Sequence, residues 1–189
     1  LREVAPAPEA MGRMALAYLG GICTLDVIWQ VAEGTKLEDR FFLVLSQTRD
    51  REPLARYWWN FLIGLRAAYA HEDPWKGLLH GDALQAIFDM IGGERVFLAM
   101  RLVRGMNLWY LGASALAERE LEGIPAADTA MGPGSSLRRF HLSWLYADRG
   151  ALDEARALAT QLSEYGAAHH NPLEEGRGRW VLAEVLRRM

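Results

Sequence analysis

Small residues return inside helical runs at near-constant intervals, and this constrains the fold more than any other feature of the chain. Gly21, Gly64, Gly105, Ser143 and Ala183 stand 43, 41, 38 and 40 residues apart. Apolar positions around them recur at three and four, and strand-like alternation is essentially absent, so the elements are helices. Two helices approach within about 8–10 Å only where the contact residue is small. One small residue per forty or so, inside a helix each time, therefore predicts helix pairs stacking on helix pairs. A single pair cannot bury its apolar face, so each depends on its neighbours.

Breaks fall between the helical runs at Glu33-Gly-Thr-Lys, Asp50-Arg-Glu-Pro, Glu72-Asp-Pro, Ile91-Gly-Gly, Met131-Gly-Pro-Gly-Ser-Ser, Arg149-Gly and His170-Asn-Pro. They divide the chain into nine helices, at about 8–33, 36–49, 52–72, 75–91, 94–111, 113–130, 135–149, 151–168 and 172–189. Gly150 suits a left-handed residue closing one helix before the next begins. Asn171 can accept from open backbone N–H groups, Pro172 fits the first helical position, and Glu174 can complete a capping box. Ser135 or Ser136 can cap the helix after the Gly-Pro-Gly turn.

Composition excludes several functions. The net charge of −3 and pI near 6.0 give no electrostatic reason to expect nucleic acid. The single cysteine, Cys23, forbids an internal disulfide and a thiolate metal cluster, and its apolar setting reads as packing. No segment approaches the roughly 18–20 apolar residues of a membrane span, and Leu1-Arg-Glu-Val-Ala-Pro lacks the features of a signal peptide. A cytoplasmic location is expected. With no initiating methionine and a last helix running to Arg187-Arg188-Met189, the chain reads as a piece of a longer protein.

No catalytic constellation, cofactor motif or metal motif emerges. His-Glu-x-x-His, Gly-x-x-x-x-Gly-Lys, Gly-x-Gly-x-x-Gly, Gly-x-Ser-x-Gly and kinase signatures are all absent. The nearest approach to a metal or acid–base cluster is His71-Glu72-Asp73 with His80 and Asp82, which reads as a polar helix end. His169-His170 reads as a solvated connection.

The stretch from Leu142 to Leu162 resembles a tetratricopeptide repeat, in the pair Leu142-Ser143, in Tyr146, Gly150 and Leu152, and in Ala155, Ala159 and Leu162. Gly150-Ala-Leu-Asp-Glu-Ala-Arg-Ala-Leu-Ala is similar to the long-period variety in bacterial signalling proteins. Those include helical sensor regions of the maltose-activator type and C-terminal parts of multidomain serine/threonine kinases. The resemblance implies an all-α, right-handed α-α superhelix of such hairpins forming one domain over 1–189, with divergent repeats over 1–93 and clearer ones over 94–189. It implies an interaction or regulatory module with no catalytic residues and no cofactor.

The high aromatic load points to a binding surface. In the repeat register, the inner face of each first helix carries Phe61, Leu65, Ala68 and Tyr69, then Leu102, Met106, Trp109 and Tyr110, then Phe140, Trp144, Ala147 and Asp148, and finally Trp180, Glu184, Arg187 and Arg188. Rigid aromatics with methionine suit a concave groove that binds a peptide, a partner domain or another domain of the same parent chain. The candidate contact residues are Phe61, Tyr69, Met106, Trp109, Tyr110, Phe140, Trp144, Trp180 and Arg187. The alternatives are rings packed between helices and an effector pocket for a small molecule at Trp109, Tyr110 and Trp144. Exposed apolar surface on the last helix would also permit a homodimer. Neither nucleic acid nor membrane is an expected partner.

Overall fold

The computed structural model describes Leu43, Ser46 and residues 52–69, 73–125 and 133–189. Among the described residues there are seven helices and no strand. They are α1 Pro53–Tyr69, α2 Pro74–Ile91, α3 Glu94–Tyr110, α4 Ser114–Glu122, α5 Pro133–Asp148, α6 Leu152–Ala168 and α7 Pro172–Arg188. The expected helices at 8–33 and 36–49, with Gly21 and Cys23, lie outside the described residues apart from Leu43 and Ser46, which are helical.

Local chemistry accounts for the helix ends. Asp73 accepts from the Lys76 N–H at 3.1 Å and Pro74 opens α2. Asn171 accepts from the Glu174 N–H at 3.3 Å and Pro172 opens α7. Three turns share one hydrogen-bond pattern. The N–H groups of Ala113, Ala151 and Asn171 reach the carbonyls of Leu108, Tyr146 and Gly166, while those of Gly112, Gly150 and His170 reach Trp109, Ala147 and Ala167. This is the Schellman closure, which satisfies two orphan carbonyls and requires a left-handed residue. Gly112 at φ 76° and Gly150 at φ 79° supply it without a Cβ penalty.

Three local expectations are corrected. α4 stops at Glu122 instead of continuing to 130, because Gly123-Ile124-Pro125 follows and a proline drives its predecessor out of helical backbone. α5 starts at Pro133, so Ser135 and Ser136 lie inside it and neither is its cap. Glu174 completes no capping box: the Asn171 N–H is already used in the turn, and the carboxylate bonds Arg177 instead.

Every helix packs on the next in sequence. In addition α1 touches α3, α3 touches α5, and α5 touches α7. The odd-numbered helices thus form a continuous row, with the even-numbered ones laid against it. Close approach depends on missing side chains. A Cβ on Gly105 would stand 2.7 Å from Leu121 Cγ, and one on Gly178 would stand 2.7 Å from the Ala159 carbonyl oxygen. Gly64 faces Val103 and Gly166 faces the Glu175 backbone in the same manner. Ser143 is completely buried. Ala183, by contrast, is exposed, so the last hairpin closes through Gly166 and Gly178 and not through the small residue expected from the spacing.

Two apolar clusters result, one drawn from α1 to α5 and the other from α5, α6 and α7, with Tyr146 packed against both. Asn107 sits fully buried in the first and donates to the carbonyls of Gly64 at 3.1 Å and Val103 at 2.7 Å, tying α3 to α1. The side-chain hydrogen bond crosses between helices that are not consecutive, which fixes their register.

Gly176 and Gly178 test this packing within one helix. A Cβ at Gly176 meets nothing within 4 Å. Gly176→Ala is expected to stabilise the protein by about 0.5–1 kcal/mol through reduced backbone freedom in the unfolded chain. Gly178→Ala is expected to destabilise it by roughly 2 kcal/mol or more through overpacking against backbone. Urea unfolding of the two variants checks this, and equal effects would contradict the α6–α7 geometry.

Candidate aromatic surface

The row of odd helices carries a strip of aromatic and charged side chains. Trp109 and Tyr110 close α3, with ring centroids 5.0 Å apart. On α5 and α7, Trp144 meets Trp180 edge-on at 5.1 Å, and Phe140 meets Trp180 at 6.0 Å. Edge-to-face contacts of this kind hold rings in fixed orientation. Trp109, Tyr110 and Trp144 are half-buried, whereas Trp180 is 61% exposed.

A chain of polar contacts joins the same three helices at their C-terminal ends. Trp109 Nε1–H donates to the Asp148 carboxylate at 3.0 Å, which also accepts from Arg188 Nη1 at 3.0 Å. Arg188 donates further to the Ala147 carbonyl and, through Nε at 2.7 Å, to Glu184. Arg187 completes the series with bonds of 2.8 and 2.6 Å to Glu184. Hydrogen bonds from Arg187 and then Arg188 hold the Glu184 carboxyl down at about 2. The paired carboxylates in turn raise both arginines. The charges at these helix ends are therefore largely matched within the row, with Arg187 the outermost.

Beneath the strip lies a buried polar layer. His141 is almost fully buried, edge-on to Phe140 at 5.0 Å and to Trp109 at 6.2 Å. Burial, with a smaller effect from the Arg177 charge, pushes its pKa down to about 3. Arg177 stacks over the Phe140 ring at 5.5 Å and pairs with Glu174 at 3.1 Å. Burial raises the Glu174 carboxyl, and Arg177 opposes that shift.

The expected contact residues divide into two groups. Trp109, Tyr110, Trp144, Trp180 and Arg187 reach the surface of this row. Phe61, Met106 and Phe140 are buried, so they pack the helices together and offer a partner no surface. Each points between helices. Tyr69 ends α1 and its side chain lies outside the described residues. Trp58 is core, edge-on to Tyr57 and Phe61, and Trp59 is half-buried against the same cluster.

The described histidines take packing and turn positions. His71 and Glu72 lie outside the described residues, Asp73 caps α2, and His80 bonds Asn60 at 2.8 Å. His169 stacks on Tyr165, and Asp82 pairs with Arg104. Among the described residues no group of three or more His, Cys, Asp or Glu side chains could hold a metal ion, and no helix is long and apolar enough to cross a membrane. The spacing gave no hint of Asn107, His141 or Glu174 as buried polar groups. The one available signal was a polar residue interrupting an apolar stripe, as His141 does between Phe140 and Leu142.

Compared with protein-family models, with curated proteins and with solved structures, the chain gives no match.

The buried histidine makes stability depend on pH with a definite sign. Its folded pKa lies below the ordinary 6.5, so below that pH the unfolded chain binds more protons than the folded one. Stability is therefore lost as pH falls from 6.5 towards 3, at ~1.4 kcal/mol per pH unit for this group. His141→Phe removes that contribution. Urea midpoints at about pH 6.5 and 5.0 should fall more steeply in the parent than in the variant, and parallel falls would contradict the buried neutral ring.

Proposed function

We propose that this chain is a non-catalytic interaction module of tetratricopeptide-like hairpins, wound as a right-handed superhelix, whose odd-helix face binds a protein segment. The observation that carries the reading is Trp180, 61% exposed yet held against Trp144 and Phe140, with Trp109 and Tyr110 half-exposed one helix row away. A large ring left in water on a rigid scaffold costs little conformational entropy on binding and offers much apolar area. The ion chain from Asp148 through Arg188 to Glu184 supports the reading, because it stiffens the platform without presenting an uncompensated charge at its centre.

The occupant that suits this surface is an extended or helical segment with apolar or aromatic anchors and a carboxylate to meet Arg187. Such a segment can belong to a separate protein or to another domain of a parent signalling protein, the setting suggested by the Gly150-Ala-Leu-Asp-Glu-Ala resemblance. Coupling to a neighbouring domain, with any kinase or transcriptional activity located there, follows from that setting.

Selection from a displayed peptide library on the immobilised chain, followed by fluorescence anisotropy, tests the proposal. Trp144→Ala and Trp109→Ala should each weaken selected peptides about ten-fold, the effect of losing one interface anchor. Trp75→Ala, on the exposed face of α2, should leave affinity unchanged. Failure to enrich any peptide, or an equal loss from Trp75→Ala, would overturn it.

A further inference from the structure

The last turns of the odd helices exchange polar groups along the row. Trp109, one residue before the end of α3, donates its indole N–H to Asp148 Oδ2 at 3.0 Å. Asp148 is the last residue of α5, and its other oxygen, Oδ1, accepts from Arg188 Nη1 at 3.0 Å. Arg188 closes α7. Its Nη1 also reaches the Ala147 carbonyl at 3.0 Å, while its Nε bonds Glu184 at 2.7 Å, so the guanidinium is fixed to α5 and α7 together. The two oxygens of Asp148 thus serve two different helices, and this division restrains a carboxylate torsion that is otherwise broad and two-fold. The Trp109 ring needs such a restraint. It touches Tyr110 at 5.0 Å and the edge of His141 at 6.2 Å, but it is only half-buried. Trp144 and Trp180, by contrast, orient each other by ring contact at 5.1 Å.

We infer that Asp148 is the positioning residue of the aromatic face: it holds the Trp109 ring in the orientation offered to a partner, and Arg188 of α7 holds Asp148. An ionised acceptor makes a shorter and stronger bond to the indole N–H than a neutral one. It therefore selects one ring orientation where packing alone covers half the ring. Released from Asp148, the indole gains rotamers that a partner must order again on binding. Arg188 acts on Trp109 through the carboxylate, so the seating of α7 on α5 is felt at the end of α3. Asparagine at position 148 separates the two bonds. An amide has one acceptor oxygen and one donor nitrogen, and the charge of Arg188 draws the oxygen to itself. The amide nitrogen then faces the Trp109 N–H, donor against donor, while the α5–α7 contact survives. The consequence for binding rests on the reading of this face as a binding surface, whereas the restraint on the ring does not.

Each of the seven tryptophans gives one indole signal in a proton–nitrogen correlation spectrum, and Trp109→Phe and Trp180→Phe identify two of them. In the unliganded full chain, Asp148→Asn should move the Trp109 signal upfield and speed its solvent exchange about ten-fold, the loss of one charge-assisted bond. Arg188→Gln should move the same signal while that of Trp180 stays in place. Arg149→Gln removes the same charge one residue from Asp148, where it pairs with Glu118 of α4, and should leave Trp109 unchanged. An unmoved Trp109 signal in Asp148→Asn, or an equal change from Arg149→Gln, would overturn the inference. So would joint movement of Trp109 and Trp180 in Arg188→Gln, since α7 would then have shifted as a whole. Against a peptide selected on the parent chain, Asp148→Asn should weaken binding about three-fold, the effect of ordering one side chain. Unchanged affinity there would remove Asp148 from the binding face. Failure to enrich any peptide would instead remove the binding reading and leave the spectra to decide the restraint on Trp109.

Discussion

Helix backbones in this protein pass one another where side chains are absent, and the remaining structure follows from those crossings. Gly64, Gly105, Gly166 and Gly178 each leave a space that a neighbouring helix enters with side chain or backbone. Crossings this close bring the flanking leucines, valines and rings into two packed clusters. Three turns of one hydrogen-bond design return the chain between α3 and α4, between α5 and α6, and between α6 and α7. Odd helices touch odd helices, and the other main helix–helix contacts among the described residues are between sequence neighbours. Trp58, Phe61 and Phe140 pack between these helices, while Trp109, Tyr110, Trp144 and Trp180 emerge along the row as the aromatic strip.

Much of this was legible from residues alone. Helix positions followed from apolar spacing, and Gly150, Asn171 and Pro172 marked their ends by chemistry that acts over three or four residues. What escaped was set at longer range. The interval rule put the last crossing at Ala183, but the α6–α7 contact uses Gly166 and Gly178, because the face of α7 that meets the preceding hairpin is not the face that would meet a following one. Glycines in the helix interior gave the same pattern in α2, where Gly77 faces Asn107 and Gly81 faces Arg104. Those pairs are invisible to a reading that treats glycine as turn or single notch.

The candidate surface was half legible. Register alone placed Met106, Phe61 and Phe140 beside the tryptophans, and burial separates them. Phe140 and Trp144 are four residues apart, as are Met106 and Tyr110, so each pair shares a helix face; the earlier member is covered by neighbouring side chains, as Phe140 is by Trp180 and Arg177. The ion chain was unforeseen for a similar reason. Register puts Asp148, Glu184 and Arg188 on the inner face but not in contact; α5 and α7 pack on each other and bring them within hydrogen-bond reach. The surface that results is a rigid aromatic platform with internally matched charge.

Serial dependence of neighbour on neighbour is the central claim, and local hydrogen exchange measures it most directly. Gly166→Ala places a methyl group against the Glu175 backbone, at the crossing of α6 and α7. Exchange followed by mass spectrometry under native conditions should show protection falling in α6 and α7 while α1, α2 and α3 keep theirs, as expected where stability is a sum of neighbour terms. A uniform loss of protection from α1 to α7 would instead mean a single cooperative core and would contradict the account.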